Sequence, residues 1–306
     1  MRRFILKILM LAAAMVVVDI LVGVVFRHWF ERMDDGEMGK ENYIGRQVDE
    51  DILVFGSSRA EYHYDTKVIS ELSGHSCYNC GASGNGIILA YGRLLMALQH
   101  HRPQLIIYDV NPEFDVLESD NHRSLAQMKI HTETDGLEEV YRDVDALEPF
   151  KMLSNMYRFN SNFIHNPLCL FKSAPERWKP DENHGAVLQK GAFDPMKVRE
   201  ETAPPPFVAD SLKLSYVRKF VNLAKGSRLV FVASPKWYAP VDSLRYQPIK
   251  DICREMGVEY LDFTNSSKYI HNNELFVDGV HLNAKGAAEF SRDLMKTLTS
   301  KNQGEE

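Results

Sequence analysis

Two short stretches of this 306-residue chain carry side chains that could do chemistry together. The first is Phe55-Gly56-Ser57-Ser58-Arg59-Ala60, where an apolar run ends in a glycine and two serines and a helical pattern begins. The second is Val277-Asp278-Gly279-Val280-His281-Leu282-Asn283, near the C-terminus. A serine hydroxyl needs a base to take its proton, and an imidazole needs a carboxylate to fix its tautomer and stabilise its cation. Asp278 and His281, three residues apart, can meet across one turn, so Ser58, His281 and Asp278 supply nucleophile, base and orienting carboxylate. Plainer readings stand beside this one. Serine at a helix start is commonly an N-cap, an Asp-Gly turn with a solvated histidine is ordinary surface, and two metal-ligand types without a third do not make a zinc site.

Those residues need elements to hold them. Five short apolar, β-branched or aromatic runs read as buried strands: Ile52 to Phe55, Cys77 to Asn79, Leu105 to Val110, Leu229 to Ala233 and Val258 to Phe263. Helical patterns lie between several of them, at Ala60–Leu72, Ile88–His100, Leu214–Ala224 and Pro248–Met256, and a closing helix over Ala284–Leu298 follows Asn283. Strands alternating with helices predict an α/β fold with a central parallel sheet of about five strands, covered on both faces. Ligands of such sheets bind beyond the carboxyl ends of the strands, where Ser58 falls. The free N–H groups of the helix that follows favour a developing negative charge.

In these blocks the chain resembles the SGNH, or GDSL-like, hydrolases. Gly56-Ser57-Ser58 takes the place of that family's Gly-Asp-Ser, with Ser58 in the nucleophile position, and Asp278-Gly279-Val280-His281 matches its Asp-x-x-His block residue for residue. The resemblance implies an oxyanion hole built from the backbone N–H of Gly84, with Gly81 as the alternative, and from the side-chain amide of Asn111 in Tyr108-Asp109-Val110-Asn111-Pro112. Ser57 replaces the usual Asp, and Asn111 lacks the family's Gly-x-Asn-Asp setting. Gly-Ser-Ser variants occur in membrane-anchored envelope members, including DltD-like and alginate-acetylation proteins. A flavodoxin-like three-layer sandwich is implied, together with an esterase, deacylase or acyltransferase acting on an envelope ester such as an acylated polysaccharide, with no metal or organic cofactor. The irregular blocks leave a different class open: a non-catalytic scaffold or glycan-binding protein of the envelope on the same fold. Arg59, Asp109 and Trp237 are candidates for substrate contact or for support of the site, and Arg59 also reads as a solvated first-turn side chain.

Composition bounds the rest. With 44% hydrophobic and 25% charged residues, 18 Gly and 13 Pro, the chain is neither disordered nor collagen-like. Its formal charge of -6 and the lack of a Lys/Arg-rich run argue against a nucleic-acid partner. Phe4 to Phe26 is apolar apart from Lys7 and Asp19 and follows Arg2 and Arg3, which predicts an uncleaved membrane anchor over residues 1–27. A cleaved signal peptide is the rival. The anchor places the N-terminus in the cytoplasm and the main domain outside. Residues 28–50 are expected to be a juxtamembrane connector, and 51–300 the α/β domain. A long insertion falls at about 112–213, helical in pattern around Gly136–Tyr157 and then rich in loop residues such as Trp178, Pro180, Gly185, Gly191, Pro195 and Pro204-Pro205-Pro206. Residues 301–306 are expected to be a disordered tail. Cysteines 77, 80, 169 and 253 make no disulfide framework. Cys77 and Cys80 form a C-x-x-C that could be a redox pair or half a zinc site, against the simpler reading of small buried residues at a strand end.

Overall fold

The structure, a computed structural model, describes residues 1–159, 171, 179–191, 193–194, 206–238 and 243–302. Two helices, α1 (Arg2–Phe30) and α2 (Gly36–Arg46), precede β1 (Ile52–Gly56), α3 (Ser58–His63), α4 (Thr66–Ser73), β2 (Cys77–Asn79), α5 (Ile87–Ala97) and β3 (Leu105–Asp109). Short helices α6 (Pro112–Asp115), α7 (Leu137–Val144), α8 (Glu148–Lys151) and α9 (Asn155–Phe159) lie in the first part of the insertion. After it come α10 (Ser211–Leu223), β4 (Arg228–Ala233), α11 (Gln247–Met256), β5 (Glu259–Asp262) and α12 (Ala284–Asn302).

The strands form one all-parallel sheet in the order β2-β1-β3-β4-β5, the flavodoxin-like order. Alternation along each strand feeds two separate cores. Leu53, Phe55, Ile106, Tyr108, Phe231 and Ala233 face the core shared with α2, α5, α10 and α11. Ile52, Val54, Ile107, Val230 and Val232 face the core closed by α12 through Phe290, Leu294 and Leu298. Three layers result, as expected, and the strand order reverses between β1 and β3, which opens a crevice at their carboxyl ends.

Several boundaries differ from the sequence reading for identifiable reasons. The single helix expected over Ala60–Leu72 is two, because Asp65 breaks out of it in an extended conformation and caps α4, accepting from the N–H groups of Lys67 and Val68. Residues 28–50 are not a connector: α2 buries Met38, Tyr43 and Ile44, the Tyr43 and Tyr78 rings meet at 4.8 Å, and Glu41 pairs with buried Arg93 at 2.6 Å. Gly residues suggested a flexible segment, yet a Cβ at Gly45 would strike the His131 ring, so this glycine permits close packing. The last helix runs on to Asn302, and 303–306, Cys169, Trp178, Pro195, Pro204 and Pro205 lie outside the described residues. Cys77 and Cys80 are both buried and free, one in each core, so they face opposite sides of the sheet. Burial pushes the Cys80 thiol up to about 12, and neither has the exposed thiolate that redox chemistry needs.

Helix α1 is long and apolar enough to cross a membrane. Its last turns belong to the domain, where Phe26, Trp29 and Phe30 pack with Met33, Met38 and Phe159. The burial of α2 gives a direct test. Ile44→Ala is expected to lower the unfolding free energy by about 2–5 kcal/mol in urea denaturation, whereas a connector would leave it unchanged.

Candidate active site

The site is assembled where β1 and β3 end. Gly56 closes β1 with φ +136°, and a Cβ there would lie 2.5 Å from the Asp109 carbonyl oxygen, so the chain passes β3 at a distance only glycine allows. Ser57 is the N-cap residue of α3, its carbonyl accepting from Glu61 N at 3.1 Å. Ser58 is the first residue of that helix, and its Oγ lies 2.9 Å from His281 Nε2. On the far side of the imidazole, Nδ1 is 2.8 Å from Asp278 Oδ2, while Asp278 Oδ1 accepts the backbone N–H groups of Val280 and His281 at 2.8 Å each. Partial burial works to raise the Asp278 pKa, but the donors from His281 and Val280 outweigh it and hold the carboxyl below its ordinary value. An ionised Asp278 accepts from Nδ1–H, which leaves the Nε2 lone pair facing the Ser58 hydroxyl. The structure thus brings together the three residues singled out as nucleophile, base and orienting carboxylate.

Arg59 is neither solvated nor placed to meet a substrate. It is 1% exposed, with Nε 3.5 Å from Asp109 Oδ1 and its two Nη atoms donating to Val110 O, Ser234 O and the Tyr246 hydroxyl. Asp109, also buried, accepts from the Tyr64 hydroxyl at 2.7 Å. The pair braces the floor of the crevice. Trp237 stands behind the Asp278–His281 turn: its N–H donates to Gly279 O at 3.1 Å, its ring lies 4.6 Å from that of His271 and 4.8 Å from that of Phe193, and Nε1 donates to Asn273.

On the oxyanion side the structure separates the candidates. Gly81 N–H already donates to Asn79 Oδ1 at 2.9 Å. Gly84, in the left-handed region at φ +71°, makes no backbone N–H bond among the described residues, and its Cα faces the Arg123 guanidinium. Asn111 Nδ2 donates to Ser57 Oγ at 2.9 Å, leaving one of its two amide hydrogens without a protein acceptor among the described residues.

Three residues that the sequence reading passed over turn out to hold the site. Asp115 accepts from Asn111 N at 2.7 Å, Ile87 N at 2.9 Å and the Tyr108 hydroxyl at 2.7 Å, tying the loops after β2 and β3 together. Buried His63 has Nδ1 3.0 Å from Ser234 Oγ and accepts from Leu282 N at 3.1 Å, so it fixes the backbone directly after His281. Tyr62 packs edge-on against the His281 ring at 5.2 Å, and its hydroxyl lies 2.6 Å from that of Ser83. The position of Asp115 four residues after Asn111 is a legible local signal, whereas nothing in the sequence distinguishes His63 from any helical histidine. A cleft of about 400 Å³ adjoins this corner, lined by Lys40, Glu61, Tyr62, Ser83 and Asp181 among others. In the insertion, His122, Asp145 and Glu148 bring metal-ligating atoms within 4.8 Å of one another, but Lys129 sits 2.6 Å from Glu148 and Lys151 bonds Asp145, so the carboxylates are taken by cations of the chain itself.

A flavodoxin-like α/β chain with a Ser–His–Asp series at its switch-point crevice is the class that fold and site define. No family model and no curated protein matches it. Among solved structures it is similar to a Streptococcus pneumonia protein provisionally described as a platelet activating factor, at 12% identity and a TM-score of 0.37, over 92% of this chain and 98% of that one. It is also similar to an acetyl xylan esterase from the rumen bacterium Butyrivibrio proteoclasticus, at 10% identity and a TM-score of 0.36, over 84% of this chain and 65% of that one. At such scores neither likeness bears on what this chain does.

His63 supplies a pH test of the bracing. Burial, the Arg59 guanidinium and His281 hold its pKa well below 6.5, so the folded ring stays neutral while the unfolded one takes up a proton. The stability this contributes is present above pH 6.5 and is lost as the pH falls, at about 1.4 kcal/mol per pH unit. Buried His131, held at about 3 by burial, Arg46 and Arg93, adds a second slope of the same sign. His63→Gln is expected to flatten the loss between pH 6 and 5 by about 1.4 kcal/mol per unit, read by urea unfolding; an unchanged slope would mean that folded His63 is charged.

Proposed function

We propose that this chain is an SGNH-type serine esterase or deacylase, or a related O-acyltransferase, acting on an ester of the cell envelope such as an acylated polysaccharide. One observation carries the reading: the continuous series from Ser58 Oγ to His281 Nε2 at 2.9 Å and from His281 Nδ1 to Asp278 Oδ2 at 2.8 Å. A serine with both a base and an orienting carboxylate is equipped for acyl transfer, which simple N-capping does not require.

In this mechanism Ser58 Oγ attacks the acyl carbonyl as its proton passes to His281 Nε2. Asp278 holds the ring and stabilises the imidazolium. The tetrahedral oxyanion is stabilised by the N–H groups of Ser58 and Gly84 and by the remaining amide hydrogen of Asn111. Collapse expels the alcohol, which takes its proton from His281. The acyl group on Ser58 then passes to water, giving hydrolysis, or to a sugar hydroxyl, giving transfer, with His281 again as base. The polar cleft beside Tyr62, with hydroxyl, carboxylate and ammonium groups in its wall, suits a hydroxyl-rich acceptor. Helix α1 would serve as a retained anchor with Arg2 and Arg3 on the cytoplasmic side and the α/β domain beyond the membrane. The non-catalytic, glycan-binding reading draws on the Asn111 amide being engaged by Ser57.

Activity decides between these readings. Full-length protein in detergent is expected to turn over p-nitrophenyl acetate, with Ser58→Ala and His281→Ala each losing at least about 10³-fold and Asp278→Asn losing about 10²–10⁴-fold. Circular dichroism checks that each variant is folded. Turnover that survives in folded Ser58→Ala would assign the chemistry to another residue.

A further inference from the structure

Asp19 lies on α1, fifteen positions beyond Phe4, and it is not left bare. Its carboxylate accepts from Ser154 Oγ at 2.7 Å, Asn155 N at 2.8 Å, Asn155 Nδ2 at 3.1 Å and Met156 N at 3.0 Å. It therefore satisfies the free N–H groups at the start of α9 from a different helix. One turn further on, Gly23 has no Cβ because the Asn155 side chain occupies that space, and Phe26 and Phe30 stack on Phe159 at 5.8 and 5.3 Å. The segment 154–159 is thus fixed to α1 at the level of residues 19–30.

Beside that joint, Leu147, Phe150, Leu153 and Met156 recur every three residues and are 63, 73, 73 and 55% exposed. The charged residues of the same stretch turn away: Glu148 is buried against Lys129 and the Tyr157 hydroxyl, and Lys151 pairs with Asp145. On α1 at the same level, Ile20, Leu21, Val24 and Val25 are more than half exposed as well. Asp19 joins the two segments that carry these apolar side chains.

Depth follows from helix geometry. Phe4 to Val25 measures roughly 33 Å at about 1.5 Å per residue, close to the ~30 Å hydrocarbon core. Asp19 then stands roughly 22 Å from Phe4, several ångströms inside the far boundary of the core. A bare carboxylate at that depth is unfavourable, and one that accepts four donors from protein is tolerated.

We propose that the 147–156 segment enters the lipid bilayer beside α1, in the leaflet on the side of the α/β domain, as a membrane lip that the Asp19 joint holds at fixed depth. Its ligand is the acyl region of a lipid surface. The inference rests on α1 being a retained anchor, and it adds that the domain is seated on the bilayer with its orientation set by two elements, where a lone helix would allow swivelling.

The test uses full-length protein reconstituted in phosphatidylethanolamine–phosphatidylglycerol vesicles, with Cys169→Ser in the background and the other thiols, Cys77, Cys80 and Cys253, buried. Single variants Val17→Cys, Phe150→Cys and Glu138→Cys carry an environment-sensitive fluorophore, and lipid-borne nitroxides quench it. Val17 reports the anchor, Phe150 the lip, and Glu138, exposed on α7, the water phase. Quenching at both Val17 and Phe150, at least threefold above Glu138, is expected, and Asp19→Ala should halve the signal at Phe150 while leaving Val17 unchanged. Quenching at Val17 with Phe150 indistinguishable from Glu138 overturns the lip and leaves the anchor standing. No quenching at Val17 removes the anchor, and the lip falls with it.

Discussion

The arrangement of the crevice depends on one buried cation. Arg59 follows Ser58 directly, and its guanidinium reaches the ends of β3 and β4 through Asp109, Val110 O and Ser234 O. Ser234 in turn contacts His63 through Oγ, and His63 accepts from Leu282 N, the residue after His281. A path of polar contacts therefore runs beneath the site from the residue after the serine to the residue after the histidine. A buried guanidinium is stable only when its charge is matched, and the partners of Arg59 come from the ends of two neighbouring strands, β3 and β4. The network ties the residue after Ser58 to the residue after His281 and so constrains their spacing from below.

The same economy is visible around the oxyanion side. Asp115 gathers the loop after β2 and the loop after β3 onto one carboxylate, while Asn79 occupies the Gly81 N–H and Ser83 ties its loop to Glu61 and Tyr62. Of the two candidate glycines, Gly81 is engaged and Gly84 keeps its N–H free among the described residues. Ser57, directly before Ser58, accepts from the Asn111 amide through Oγ at 2.9 Å, which links the end of β1 to the loop after β3.

The N-terminal helices belong to the same construction. Helix α2 covers the face of the sheet near Tyr78 and carries Glu41 to buried Arg93, and the end of α1 is packed under Phe159. The α/β domain therefore begins well before β1. An element that reads as polar and glycine-containing is fully integrated because its large residues pack on different sides, Tyr43 and Ile44 in the core shared with the sheet and Met38 in the cluster with Phe26, Trp29 and Phe30.

The sequence by itself determined the alternation of strands and helices, the serine at the end of β1 and the Asp278–His281 pair. These are local properties: β-branched runs favour strands, a glycine is required where β1 grazes β3, and an i, i+3 Asp and His meet within a single turn. It also marked the apolar α1. Only the tertiary structure decided that Ser58 and His281, 223 positions apart, lie at hydrogen-bond distance, that Arg59 is buried, that His63 and Asp115 support the site, and that Asp19 caps α9. Apart from the contacts of Asp115 with Asn111 and Tyr108, each of those facts concerns a polar side chain whose partner comes from a distant segment. Burial of a charge can be favourable or prohibitive depending on that partner, and hydropathy along the chain carries no record of which partner the fold will bring.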